Sequence, residues 1–239
     1  MPASICLIVP CFNEAARIDF DRFARLPPGV KCLMVDDGSS DGTAALIERH
    51  LSDTIGLLAL PANVGKAEAI RQGMLHARTS GRLAGVEWIG YWDADLATPL
   101  SEIGSFLAYA QLADGRVEGV LGSRIYKLGS HIVRSYPRHL LGRLFATVAA
   151  TLLDLECYDS QCGAKLFRTE LLEQAFVEPF LSRWIFDVEL LVRLRGRRLI
   201  EYPLREWTDV GGSKLDVLRV AWPTVRDLIR IRRRYGRSR

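Results

Sequence analysis

Short apolar runs without polar alternation recur along the first hundred residues: Ile5-Cys6-Leu7-Ile8-Val9, Lys31-Cys32-Leu33-Met34-Val35, Ile55 to Leu60, and Trp88-Ile89-Gly90-Tyr91-Trp92. Runs this short and β-rich predict strands covered on both faces. Between them lie stretches with helical character. One runs from Ala15 to Leu26 and stops before Pro27-Pro28, a second from Thr43 to His50, and a third from Lys66 to about Arg78. Beyond Pro99 the pattern predicts a helix from Leu100 to Ala113 and a strand Gly119-Val120-Leu121 ending in Gly122-Ser123-Arg124. A loop into a strand follows over 159–167, then a helix beginning near Trp184 and a last short strand from Leu199 to Tyr202.

Strand and helix alternate with short turns, which predicts an α/β fold: a mostly parallel, Rossmann-like sheet with helices on both faces. Polar residues collect where strands end and helices begin, the edge at which such sheets bind ligands. With no repeat and no Pro-, Gly- or Ser-rich linker, the chain reads as a single domain over 1–239. Within it we expect a nucleotide-binding half (1–95), an acceptor-binding half (96–215) and a basic C-terminal helix (216–239).

One segment is ambiguous. Leu140 to Leu155 is apolar with few polar interruptions, which suits a core helix or a helix lying at a membrane interface, with Arg134, Arg138 and Arg143 at headgroup level. The formal net charge of +4 is too small to imply nucleic acid, but arginines crowd the stretch from Arg226 to Arg239. Such a tail suits a solvated helix end, a nucleic-acid patch or an anchor to anionic lipid headgroups. No apolar run reaches the roughly 18 residues that span a bilayer, and Met1 to Val9 does not read as a secretory leader. Five cysteines without a C-x-x-C pair fit a reducing compartment. The expected location is therefore cytoplasmic, peripheral at the inner face of a membrane.

The candidate chemistry begins where the fourth strand ends, at Asp93-Ala94-Asp95. If the strand continued, alternation would point both carboxylates the same way. Two carboxylates at a strand end form a hard anionic site suited to Mg²⁺ or Mn²⁺. The same residues also suit a plain polar turn. Four further loops, Pro10 to Glu14, Asp36 to Asp41, Asn63 to Lys66 and Gly122 to Arg124, converge on the same predicted edge. No G-x-G-x-x-G follows the first strand, which argues against a dinucleotide.

In their order these pieces resemble the family 2 glycosyltransferases, whose fold is GT-A: VPCFNE (9–14), VDDGSSDGT (35–43), NVGKAEAI (63–70), DADLATP (93–99), GSR (122–124) and DSQCGAKLF (159–167). RWIFDVELL (183–191) and GGSKL (211–215) extend the resemblance over almost the whole chain and point to the dolichyl-phosphate β-glucosyltransferase branch. Ala97 and Thr208 stand where mannosyl-type members carry a polar residue and an arginine, which supports that branch.

The resemblance implies an inverting, metal-dependent transfer of a hexose, glucose from UDP-glucose, to a polyprenyl or dolichyl phosphate. Pro10, Phe12, Glu14 and Asp37 would line the nucleoside pocket, with Asp37 accepting from uracil N3–H, and Val35 and Ala94 would be further substrate-binding residues. Lys66 and Lys214 would meet the donor phosphates. Asp95 would be the principal ligand of Mg²⁺ or Mn²⁺, with Asp93 contacting the ribose or the metal's surroundings. Arg124 and Arg134, helped by Ser135 or Arg138, would hold the lipid phosphate, and Gln161 and Asp187 would contact the sugar or support the residues that do. A membrane-protein partner could supply an anchor. Should the acceptor instead be a soluble hydroxyl, a general base would be needed, and Asp159 or Asp187 are the residues available. A non-catalytic nucleotide-binding protein is the remaining alternative.

Overall fold

A computed structural model describes residues 4–113, 116–133, 136–210 and 217–236, with side chains over 136–141 and 217–221 excepted. Arg134, Ser135, Arg138 and Lys214 therefore lie outside what is described. Strands β1 (Ile5–Cys11), β2 (Val30–Asp36), β3 (Ile55–Ala59), β4 (Trp88–Trp92), β5 (Gly119–Ser123), β7 (Ala164–Arg168) and β8 (Leu199–Pro203) form one seven-stranded sheet in the order β3-β2-β1-β4-β7-β5-β8. All neighbours are parallel except at β7, which runs antiparallel to both β4 and β5. β7 therefore enters the sheet at the edge where β1, β2, β4 and β5 end. Two short strands, β6 (His131–Val133) and β9 (Glu206–Thr208), pair separately.

The strand pleat divides the core. Ile5, Leu7, Val9, Trp88 and Trp92 face α1 (Phe20–Phe23), α2 (Thr43–Glu48) and α4 (Glu102–Leu112) through Phe23, Ile47, Ile103 and Phe106. Cys6, Ile8, Ile89 and Tyr91 face the other way. There they meet α3 (Lys66–Thr79), α6 (Leu172–Phe176) and α7 (Phe186–Arg193). Helices thus cover both faces, as alternating two-sided burial requires. A third layer forms outside α7, where Ile185, Val188 and Val192 pack against α5 (Tyr136–Leu153) and α8 (Val217–Tyr235). α5 serves as a core helix through Ala149 and Leu153, yet leaves Leu144 and Val148 exposed.

The first helix is shorter than the pattern predicts. Asn13 adopts φ 54°, and the amides of Glu14 and Ala15 donate to side chains of the next loop rather than within a helix: Thr43 Oγ1 accepts at 2.9 Å and Asp41 Oδ2 at 3.0 Å. Residues 13–17 are thereby tied to the loop after β2, beside the ligand edge.

Candidate functional site

The ends of β1, β2 and β4 and the start of α3 enclose an open cleft of about 330 Å³, lined by Pro10, Cys11, Phe12, Glu14, Arg17, Asp37, Asn63, Gly65, Lys66, Asp93, Ala94 and Asp95. Eight residues singled out from the sequence meet here: Pro10, Phe12, Glu14, Asp37, Lys66, Asp93, Ala94 and Asp95. Val35 does not join them. It points into the core beneath α3, against Gly73, because its place in β2 turns it away from the edge. Arg17 was not anticipated, since it reads as an ordinary helix-surface residue until the 13–17 segment folds over the cleft.

Asp93 and Asp95 converge through a turn rather than along a strand, since β4 ends at Trp92. Leu96 takes φ 50° and its amide bonds to the Asp93 carbonyl at 3.1 Å, while the Ala97 amide bonds to Asp95 Oδ1 at 3.0 Å. The turn is braced from outside by Trp92 Nε1 on the Thr98 carbonyl (2.7 Å) and by the Thr208 amide on the Ala97 carbonyl (3.0 Å). Ala97 and Thr208, the two positions at which the resemblance distinguishes its branches, are thus joined by this bond. Gly163 supplies the floor. Its carbonyl accepts the Asp93 amide at 3.1 Å, and the Asp93 carboxylate occupies the space that a Cβ on Gly163 would need.

Lys66 Nζ lies 2.6 Å from Asp93 Oδ1, and an Arg17 guanidinium nitrogen lies 3.6 Å from Asp95 Oδ2. Burial and the neighbouring Asp93 carboxylate push the Asp95 carboxyl above its ordinary value. Glu14 is likewise raised, first by burial and then by Asp95, Asp41 and Asp93 against the opposing pull of Arg17. Among the described residues no three His, Cys, Asp or Glu side chains assemble a complete metal cage. The donor set nevertheless fits a hard divalent ion. Two crowded carboxylates need positive charge, and Mg²⁺ or Mn²⁺ keeps most of its positions for water and phosphate oxygens.

Asp37 is engaged differently from a free base-reading carboxylate. It accepts from the Val64 amide (2.7 Å), the Gly65 amide (2.8 Å) and Asn63 Nδ2 (3.0 Å), which fixes the loop leading into α3. Asp36 accepts the Ser39 amide at 3.1 Å and acts as the turn residue its type suggests. Lys66 owes its position to this loop. Gly65, at φ 92°, turns the chain into α3 at a conformation that side chains seldom adopt.

Arg124 follows β5 beside this cleft and does not line it. Its Nε and a terminal nitrogen each lie 2.7 Å from Asp159, and its amide adds a third bond at 3.0 Å. Despite burial, which opposes it, the guanidinium holds the Asp159 carboxyl below its ordinary value. Trp207 of β9 lies under the same guanidinium, 5.3 Å from its carbon. Asp187 is buried near the start of α7, bonded by Lys165 Nζ at 2.6 Å and by the Tyr91 hydroxyl. Gln161 is exposed in the turn before β7 and does not line the cleft.

Residues 6–176 match the sequence profile "Glycosyl transferase family 2". A "Dolichyl-phosphate beta-glucosyltransferase" from Dictyostelium discoideum is 32% identical over 253 residues, covering 97% of this chain and 74% of its own length. The human protein of that name is 31% identical over 255 residues, covering 97% of this chain and 75% of its own. Among solved structures, glucosyl-3-phosphoglycerate synthase from Mycobacterium tuberculosis, in complex with Mn²⁺ and UDP-glucose, superposes with a TM-score of 0.69. It is 18% identical and covers 100% of this chain, which covers 81% of it in turn. The sheet order and its likeness to that structure make the fold GT-A. A single sheet edge bears the five loops, one profile spans most of that sheet, and the relatives run nearly the length of the chain. The chain belongs to glycosyl transferase family 2.

Proposed function

We propose that the chain transfers glucose with inversion from UDP-glucose to a polyprenyl or dolichyl phosphate, with Mg²⁺ or Mn²⁺ as cofactor. One observation favours a phosphate acceptor over a hydroxyl. Both carboxylates that could serve as a general base are already committed, Asp159 to Arg124 and Asp187 to Lys165 and Tyr91. A phosphate is an oxyanion near neutral pH and needs no base to attack. The names of the relatives support the same acceptor and sugar, and the Mn²⁺–UDP-glucose complex of the structural neighbour supports the donor and the metal.

In this reading the cleft holds UDP, with Phe12 and Pro10 against the base and the spare lone pair of Asp37 toward it. Asp95, helped by Asp93, would hold the divalent ion, which offsets charge on the leaving diphosphate. Lys66 would move from Asp93 to the diphosphate once that ion neutralises the carboxylates. Arg124 keeps guanidinium donors beyond the two that Asp159 uses and would offer them to the acceptor phosphate. Lys214, Arg134 and Ser135 retain the donor and acceptor roles that the resemblance assigns them.

The reaction would take place at a membrane surface; no helix among the described residues is long and apolar enough to cross a bilayer. Incubation with labelled UDP-glucose, Mn²⁺ and undecaprenyl phosphate, followed by extraction into organic solvent, tests the proposal. Label in the organic phase is expected. Label that stays aqueous, on a soluble hydroxyl compound, would replace the acceptor. No turnover and no binding of any UDP-sugar would leave a non-catalytic protein.

A further inference from the structure

Behind the cleft lies a charge that the proposed reaction does not use. Lys165, on β7, is fully buried. Its ammonium sits 2.6 Å from Asp187 Oδ1 and also donates to the carbonyl of Cys162, while Asp187 takes a further bond from the Tyr91 hydroxyl. Removing an ammonium and a carboxylate from water offsets most of their attraction, so a buried pair is a weak source of stability. An apolar residue of similar length would fill this site in β7 equally well. The informative contact is therefore the one to the backbone.

Cys162 lies in the turn 159–163, and both ends of that turn meet the site. At one end Asp159 grips Arg124 through two side-chain bonds and one amide bond. At the other, Gly163 receives the Asp93 amide, and its bare Cα makes room for the Asp93 carboxylate. Tyr91 stands on β4 two residues before Asp93, so the network also reaches the turn that bears that carboxylate. The turn joins the residue that would hold the metal–donor complex to the residue that would hold the acceptor.

We infer that Lys165 is a positioning residue: its ammonium pins the Cys162 carbonyl and so fixes the turn that sets Asp93 against Arg124. This rests on the donor and acceptor assignments proposed above. Without the pin, the carbonyl loses its buried donor and the turn is free to rotate, which moves the surface against which Asp93 rests. A displacement of about 1 Å at such a site costs on the order of a hundredfold in rate.

The test uses the full chain with Lys165→Met and the double variant Lys165→Met/Asp187→Leu. Calorimetric titration with UDP in the presence of Mn²⁺ measures the donor side, and thermal unfolding measures stability. Lys165→Met is expected to lower both Tm and the affinity for UDP with Mn²⁺, the latter about tenfold. The double variant removes the unpaired carboxylate as well, so Tm is expected to recover in part, with the Tyr91 hydroxyl and the Cys162 carbonyl still unpaired, while the affinity stays low. Recovery of both would make the pair purely structural and overturn the inference, as would unchanged binding by Lys165→Met. If the unsubstituted chain binds no UDP with Mn²⁺, the donor assignment fails and the inference falls with it. If it binds UDP but transfers nothing to lipid phosphate, the acceptor proposal fails while the donor-side inference stands.

Discussion

At the scale of single residues, Gly163 shows how closely the site is built. It is not a turn glycine with a left-handed backbone; its missing side chain is what admits the Asp93 carboxylate. Gly163→Ala is expected to push that carboxylate aside, cost about 1–3 kcal/mol of stability as overpacking does, and lower transfer by about a hundredfold. Near-normal turnover of the purified variant would show that Asp93 is not needed in its present place. The Arg124–Asp159 pair makes a second prediction. Asp159 is held below its ordinary pKa by Arg124, against the effect of burial. Its contribution is therefore full above the ordinary carboxylate value and lost as pH falls through the depressed one. Asp159→Asn is expected to cost about 2 kcal/mol near neutral pH, since the pair is not wholly enclosed. That difference in unfolding free energy should shrink in acid; a difference independent of pH would mean that the ion pair is not its source. The residue types of the cleft were legible because carboxylates and a lysine at strand ends have few other uses. Val35 was not, since an apolar residue at the head of a motif gives no sign of which side of the pleat it takes. Arg124 was legible as a cation but not as one already paired, because Asp159 lies 35 positions away.

The elements themselves divide by how local their causes are. Strands β1, β2 and β4 and helix α3 follow from runs of apolar residues and from the turn chemistry beside them. Strands β6 and β9 escape such reading, for three residues cannot show a period, and their pairing depends on a contact between distant parts of the chain. Helix α8 carries more than its basic composition suggested. Leu228 and Ile231 face inward, while Trp222, Val225 and Ile229, spaced as one helical stripe, are 75%, 45% and 42% exposed. Arg226, Arg230 and Arg233 flank that stripe in solvent. An apolar stripe bordered by arginines suits the surface of an anionic bilayer, as does the exposed side of α5 at Leu144 and Val148. Changing Trp222, Val225 and Ile229 together to serine is expected to leave Tm near its original value and to abolish co-sedimentation with vesicles rich in phosphatidylglycerol. Vesicle binding that survives the triple change would assign the stripe to a protein partner or to nothing.

For the molecule as a whole, the arrangement of the sheet bears on how the proposed UDP and divalent ion would bind together. Four of its loops follow parallel strands or begin a helix at one edge, as the alternation of strands and helices implied. The antiparallel entry of β7 was not implied, because an apolar run does not reveal its direction. That reversal brings Gly163 under Asp93, and among the described residues no third side chain completes a metal cage with the pair. Meanwhile Lys66 and Arg17 already supply positive charge to Asp93 and Asp95. A divalent ion alone must displace those partners and fill its remaining positions with water. UDP alone must place its diphosphate beside two carboxylates. Each ligand removes the other's obstacle, so their binding is expected to be cooperative. At a hundred times the dissociation constant, a ligand raises stability by about 2.7 kcal/mol, which for a domain this size corresponds to roughly 5–11 °C in Tm. Thermal unfolding should show a shift of that order with UDP and Mn²⁺ together, and far less than half of it with either alone. Shifts that merely add would mean that the ion and the diphosphate do not share Asp95, and the metal assignment would have to leave the cleft.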